Sequence, residues 1–367
     1  MLATADRERL ARHFRRQADA CEQLGSPLYA GLMRHAADDA GRGGVVARVC
    51  AGYEQDPPER VLALRVFGAV HRLVLAGSAP ELAEHYPSAG VASTGPAVDS
   101  AWPAFQAALG AYGAEIRREL PSPPQTNEVG RAAPLVGGLL RLVEQVGGLP
   151  VRLYEIGASA GLNLRADHFR FELPECPELP ELPEGAGWGP ADSPVVLRDP
   201  WRGWWPQFDA RLHVVERQGC DPAPVDPTTP EGWRWLAGWV WPDDVRRLER
   251  LSAAVEVARV VPATVVAASA EDYLAGVAPR AGHLTVVWHS VMWQYLDSAQ
   301  QEAVTSHLGR AGRSAGRDAP FAHLSMEPHA APDGSTEFAV SARLWPGGYE
   351  RVLGHAAAHG VPVTWQR

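Results

Sequence analysis

The run Leu153-Tyr154-Glu155-Ile156-Gly157-Ala158-Ser159-Ala160-Gly161-Leu162-Asn163-Leu164 restricts the possible folds more than any other part of the chain. The apolar segment VRLYEI (151–156) carries an acid near its end, and Gly157, Ser159 and Gly161 then fall at every second position before a new apolar stretch. Such small residues let a backbone adopt positive φ, turn sharply and expose its N–H groups to an approaching ligand. A strand leading through this turn into a short helix is the opening of a βα unit, and an apolar strand of that kind sits in a sheet with helices on its faces.

The segments on either side agree with this reading. APLVGGLLRLVEQVGG (133–148) has the spacing of a helix leading into the strand. Beyond the turn, strand patterns alternate with helical ones. RLHVVERQGCD, ATVVAAS and HLTVVWHS read as strands, while TTPEGWRWLAGWVWPDDVRRLERLSAAVEVA, AEDYLAGV and SAQQEAVTSHLGRAG read as helices. FAHLSME, EFAVSARLW and VPVTWQ are extended, with YERVLGHAAAHG expected as a helix between the last two. This describes a doubly wound α/β sheet, mostly parallel, with an antiparallel edge.

Residues 1 to about 120 are different. Leu10, Phe14, Ala18 and Cys21 recur at helical spacing, and RVLALRVFGAVHRLVLAG (60–77) is apolar enough for a buried helix. The proline cluster LPSPPQTNE marks a boundary. It yields an N-terminal helical cap over 1–122 and an α/β domain over 123–367. A polar, proline-rich insert at about 168–210 is expected to be a solvent loop.

A formal net charge of -9 disfavours nucleic acid and anionic membrane as main partners. Cys21, Cys50, Cys176 and Cys220 lie far apart without CxxC spacing, so neither a metal site nor a disulfide framework is expected. The N-terminus lacks the pattern of a signal peptide, and no apolar run approaches the roughly 18 residues of a membrane span. A cytoplasmic protein with reduced thiols is the expectation.

In a doubly wound sheet, ligands bind beyond the carboxyl ends of the strands. The turn at 157–161 lacks the GxGxxG spacing of a dinucleotide site, and Glu155 would repel a pyrophosphate. It suits a ligand with a cationic amino group and no phosphate. The stretch resembles motif I of the class I S-adenosylmethionine-dependent methyltransferases, with Ser159 in place of the commoner middle glycine. The resemblance implies a seven-stranded Rossmann-like sheet and a cofactor site built on Glu155, Gly157, Ser159, Gly161 and Asn163.

VVERQGCDPAPVD is similar to the end of that family's second strand, which implies that Asp221 accepts from both ribose hydroxyls. Glu216 competes for that role, and Asp221 can also be read as a turn-former before Pro222. VVAASAEDYL resembles the adenine-binding turn, placing Ser269, Ala270 and Glu271 beside the base. Ser269 with Asp272 three residues on is equally a helix cap. The end of the fourth strand implies an acceptor site with His289 as general base and Tyr295 beside it, near Ser290 and Trp293. A histidine at a strand end also serves as a hydrogen-bonded structural residue. Glu327 and His329 fall on the same side of the sheet. Arg131 is placed to grip the methionine carboxylate with its planar fork.

Thirteen tryptophans are present, seven of them in PWRGWWPQF and GWRWLAGWVWPDD, and core packing is their plainest role. QTNEVGR, EIGASAGLNL, ERQGCDPAPVD, WPDDVRRLERL and WHSVMWQYL together are also similar to an uncharacterised bacterial family without an assigned substrate. The expectation is S-adenosylmethionine-dependent methyl transfer to a small molecule. The alternative is cofactor binding without methyl transfer, by other chemistry or as a sensor.

Overall fold

The computed structural model describes residues 2–91, 98–173, 186–204, 211–330 and 336–366. Most of the proline-rich run, with Cys176, and also Trp205 lie outside the described residues. The elements follow in chain order: α1 (Thr4–Gln23), α2 (Pro27–Gly41), α3 (Val45–Val49), α4 (Leu62–Leu75), α5 (Pro80–Ala83), α6 (Val98–Glu119), α7 (Ala132–Gln145) and β1 (Val151–Ile156). Next come β2 (Arg170–Glu172), β3 (Gly187–Trp188), β4 (Val196–Arg198), β5 (Trp201–Gly203), β6 (Val214–Asp221), α8 (Pro230–Ala237), α9 (Val245–Val260), β7 (Thr264–Ala267) and α10 (Ala270–Leu274). The remaining elements are β8 (Leu284–Ser290), α11 (Ser298–Ser314), β9 (Phe321–Ala330), β10 (Thr336–Trp345), β11 (Glu350–Ala356) and β12 (Val363–Trp365).

Two compact units share these elements. One comprises Met1–Thr126 with Thr229–Glu249, and the other Asn127–Thr228 with Arg250–Arg367. The segment 229–249, which follows the second strand of the α/β pattern in sequence, thus belongs to the helical unit.

In the helical unit the α1 stripe Leu10, Phe14, Ala18 and Cys21 is wholly buried, as its spacing requires. Phe67 of α4 packs against Phe14, Tyr29 and Phe105. Because α4 is buried on nearly every side, its polar residues need partners. Arg65 reaches Asp56 and the Leu120 carbonyl, Arg72 pairs with Glu119, and His71 Nε2 lies 2.7 Å from Ser88 Oγ. The Arg72 guanidinium also lies 4.3 Å and 4.7 Å from the ring centres of Trp235 and Trp239, so these tryptophans build core around a buried cation.

The second unit is built on a nine-stranded mixed sheet in the order β5-β12-β11-β10-β9-β8-β1-β6-β7. The five strands β9-β8-β1-β6-β7 are parallel, and β10, β11 and β12 continue as an antiparallel meander. Seven strands were expected; the extra ones are β11, expected as a helix, and β5, drawn from the insert to pair in parallel with β12. Along one face, Tyr154, Ile156, Cys220, Val287, Phe321 and Trp345 pack with Val304 and Leu308 of α11 and with Ala270 and Leu274 of α10. On the other, α7 lays Gly137 and Gly138 against Trp365 and Leu324 so closely that a Cβ would come within 2.2 Å and 2.7 Å of those side chains.

Two local expectations are corrected. YERVLGHAAAHG holds strand β11 rather than a helix, paired on both sides. Gly354 explains why: β12 comes so near that a Cβ there would meet the Thr364 carbonyl at 2.5 Å, a close approach only a strand glycine permits. The insert is also more than loop. Its described parts form a small sheet, β3-β2-β4, and Phe171 stacks on the buried Trp201 at 5.1 Å. Among the described residues, no helix is long and apolar enough to cross a membrane.

Candidate functional site

Within the parallel part of the sheet, chain order runs outward in both directions from the β1/β8 pair. Connections diverge there, and the crevice beyond the carboxyl ends of those two strands is the natural ligand position of a sheet wound this way. Ile156 and Ser290 end the two strands, and the small-residue turn rises from the first.

The turn has the predicted backbone. Gly157, Ser159 and Gly161 have φ of 69°, 53° and 65°, so the left-handed region is visited at every second residue. Serine there is unfavourable unless something holds it. Asp221, at the end of β6, does so: its Oδ2 accepts the Ser159 N–H at 2.9 Å, and its Oδ1 accepts the Ala223 N–H at 2.9 Å. Asn127 Oδ1 accepts the Leu162 N–H at 3.0 Å, and the Asn163 amide donates to the Glu128 carbonyl at 3.2 Å. The crest is therefore a rigid cradle. Its glycines are not open, because Met292 stands over Gly157 and Val265 over Gly161.

Glu155 lies between Gly219 and Trp288 on the flanking strands and is 2% exposed. Burial pushes its carboxyl up to about 8 and Asp221 adds to the rise, while the Trp288 indole, Arg131 and Arg165 oppose it. Its Oε2 has no hydrogen-bond partner among the described residues, nor has Ser159 Oγ or Asn163 Oδ1. Three buried polar atoms without partners at one strand end are a concentration that folded proteins seldom leave unexplained. Arg131 joins the group, donating from Nη1 to the Ser290 carbonyl at 3.3 Å.

The structure thus gathers Arg131, Glu155, Gly157, Ser159, Gly161, Asn163 and Asp221 at one place. Ser269, Ala270 and Glu271 lie alongside, just past β7, where the Ala268 N–H donates to the Asp221 carbonyl at 3.2 Å. Ser269 is a helix cap: its Oγ accepts the Asp272 N–H at 3.2 Å and donates to Asp272 Oδ2 at 2.9 Å. Glu271 Oε1 accepts from Gln300 at 3.2 Å. The rival ribose residue, Glu216, sits four residues upstream of Cys220 and is tied to Arg152 at 2.7 Å and Tyr154 at 2.6 Å. The Arg152 bond holds its carboxyl below the usual range.

His289 faces away from this cradle, because it follows Trp288 on a strand whose side chains alternate. It is 2% exposed, with Nδ1 2.7 Å from Glu327 Oε1 and Nε2 2.9 Å from His323 Nε2. Burial lowers His323 to about 3, so that ring is neutral. The same Glu327 oxygen accepts the Met292 N–H at 3.1 Å. Through this shared carboxylate His289 is tied to the loop after β8. Tyr295, on that loop, is 45% exposed.

Sequence reasoning missed Arg165, Trp288 and His323 as members of this region, whereas Asn127 and Glu327 were already placed near it. Strand parity would have paired Trp288 with Glu155, but no short motif announces the rest.

No curated protein and no solved structure matches the chain. A family model described as an uncharacterized protein conserved in bacteria, DUF2332, matches residues 11–365. With almost its whole length matched, the chain belongs to this family of uncharacterised bacterial proteins.

Proposed function

We propose that the second unit binds S-adenosylmethionine at the carboxyl end of β1 and passes its methyl group to a small-molecule acceptor, on a sheet related to the class I methyltransferases. The observation that carries this reading is Glu155, a buried acid with one oxygen unpartnered at the switch point of the sheet. Such an oxygen calls for a cation, and burial keeps the acid protonated near neutrality until one arrives. The ligand's ammonium fits that need, and its carboxylate fits Arg131. Ser159 Oγ and Asn163 Oδ1 offer further polar atoms, and the carboxylate of Asp221 lies at the next strand end.

When bound, the cofactor supplies an electrophilic methyl on a sulfonium. The chain's own part is to orient it and exclude water, which suffices for much of the acceleration of an in-line transfer. Met292 covers Gly157 with its Cβ and Cγ, and since side-chain torsions leave a Cβ in place, the loop that carries Met292 must shift to open that glycine to the ligand. Calorimetric titration with S-adenosylmethionine tests the reading on the wild type, Glu155→Ala and Arg131→Ala. Binding that weakens about tenfold or more in both variants supports it; no binding, or equal binding by all three, ends it.

One observation favours the second reading, binding without methyl transfer. Both ring nitrogens of His289 have partners and Tyr295 is exposed, so neither is arranged as a base. Product analysis separates the alternatives: S-adenosylhomocysteine marks methyl transfer, methylthioadenosine marks transfer of the aminobutyrate arm, and unchanged cofactor marks a sensor.

A further inference from the structure

We infer that His329, Glu337 and His355 form a binding site for a divalent transition-metal ion, with zinc the leading occupant. The site is independent of the cofactor reading above. The antiparallel meander assembles it. His329 on β9 lies directly opposite Glu337 on β10. His355 on β11 lies opposite Ala339, two residues along from Glu337, so all three side chains share one face of three neighbouring strands. His329 Nε2 is 3.5 Å from Glu337 Oε2, and His355 Nδ1 is 3.2 Å from the same oxygen. One potential donor atom from each residue lies within 4.8 Å of the other two.

These separations match a coordination shell. Metal–ligand bonds of about 2.0–2.1 Å around a tetrahedral zinc place neighbouring donors about 3.3 Å apart. Hydrogen bonding explains the contacts less well. His355 Nδ1 is shielded from solvent and close to the carboxylate, yet it makes no hydrogen bond in the structure. A lone pair directed at a shared metal satisfies an atom so placed. Two imidazoles and one carboxylate suit zinc and its first-row neighbours; magnesium and calcium prefer all-oxygen shells.

Three protein donors leave at least one position for water or a small ligand, as in zinc sites that perform chemistry. The side chains of His329, Glu337 and His355 are 43%, 47% and 36% exposed, so an ion reaches them without unfolding the strands. The three are spaced 8 and 18 residues apart, 337 minus 329 and 355 minus 337, and the expectation of no metal rested on the spacing of the cysteines. Only the pairing of the three strands brings them together. His329 also stands toward the carboxyl end of β9, at the same edge of the parallel sheet as the Glu155 cradle.

The test uses full-length, tag-free protein stripped with a chelator and titrated with zinc chloride in the calorimeter, without added cofactor. His329→Ala, Glu337→Gln and His355→Ala are compared with His283→Ala, which alters a partly exposed histidine outside the cluster. One zinc per chain is expected, weakened about tenfold or more by each cluster variant and unchanged by His283→Ala. Zinc should also raise the melting temperature of the wild type but not of the double variant His329→Ala/His355→Ala. Circular dichroism confirms that the variants are folded. Absence of zinc binding, retention of wild-type affinity in the three variants, or displacement of zinc by an equal concentration of magnesium would overturn the assignment.

Discussion

Replacing Glu155 by glutamine removes an acid whose burial sets a pH-dependent penalty on the fold. The folded carboxyl titrates at about 8 against an ordinary value of 4.5. Below 4.5 both folded and unfolded chains hold the proton, and the residue's contribution is fully present. As pH rises, the unfolded chain releases its proton first, so stability falls until the folded group also ionises near 8. The difference spans 3.5 pH units, 8 minus 4.5, and at about 1.36 kcal/mol per unit the penalty reaches about 5 kcal/mol. Water drawn toward the carboxylate as it ionises lowers that figure, so it is a ceiling. Urea unfolding of wild type and Glu155→Gln from pH 4.5 to 9, without ligand, measures the effect. The stability gap should widen in favour of glutamine by several kcal/mol through neutrality and level off above pH 8. A gap that stays constant over this range would refute the account of Glu155 as an unsatisfied buried acid.

Two further changes test the surroundings of the site. Asp221→Ala strips acceptors from the Ser159 and Ala223 N–H groups, and thermal melting should show a loss of about 3–6 kcal/mol, since two hydrogen bonds to a carboxylate contribute about 1.5–3 kcal/mol each. Gly137→Ala and Gly110→Ala should act in opposite directions: the first forces a methyl within 2.2 Å of Trp365 at a cost of about 1–3 kcal/mol, while the second meets nothing within 4 Å and should stabilise α6 by about 0.5–1 kcal/mol.

The βα alternation and the turn at 157–161 were legible because both follow from local chemistry: apolar periodicity and the steric freedom of small residues. The face of α1 could be read for the same reason. Partnership between distant segments could not. Nothing local tells Thr229–Glu249 to join the helical unit, or β5 to leave the insert and border the main sheet. YERVLGHAAAHG misled because short alanine-rich runs suit a helix in isolation, and the pairing of β11 with β10 and β12 overrides that preference. At the site, Glu155 and Asp221 stand out as acids at strand ends. His289 showed its residue type but not its direction, which depends on the parity of β8 and on Glu327 and His323 arriving from β9.

The border of the sheet at β5 has a kinetic consequence. Trp201 is aligned with Val363, and the Val363 N–H donates to the Pro200 carbonyl at 2.8 Å, so this edge joins residues 162 positions apart, 363 minus 201. Bringing such remote positions together carries a large closure entropy, and contacts of this kind form late. A refolding molecule can therefore complete the central strands while its border is still open, with the rim of β12 exposed to pairing by a neighbour. Crowded refolding, rather than dilute equilibrium, is where this chain is most exposed to misassembly.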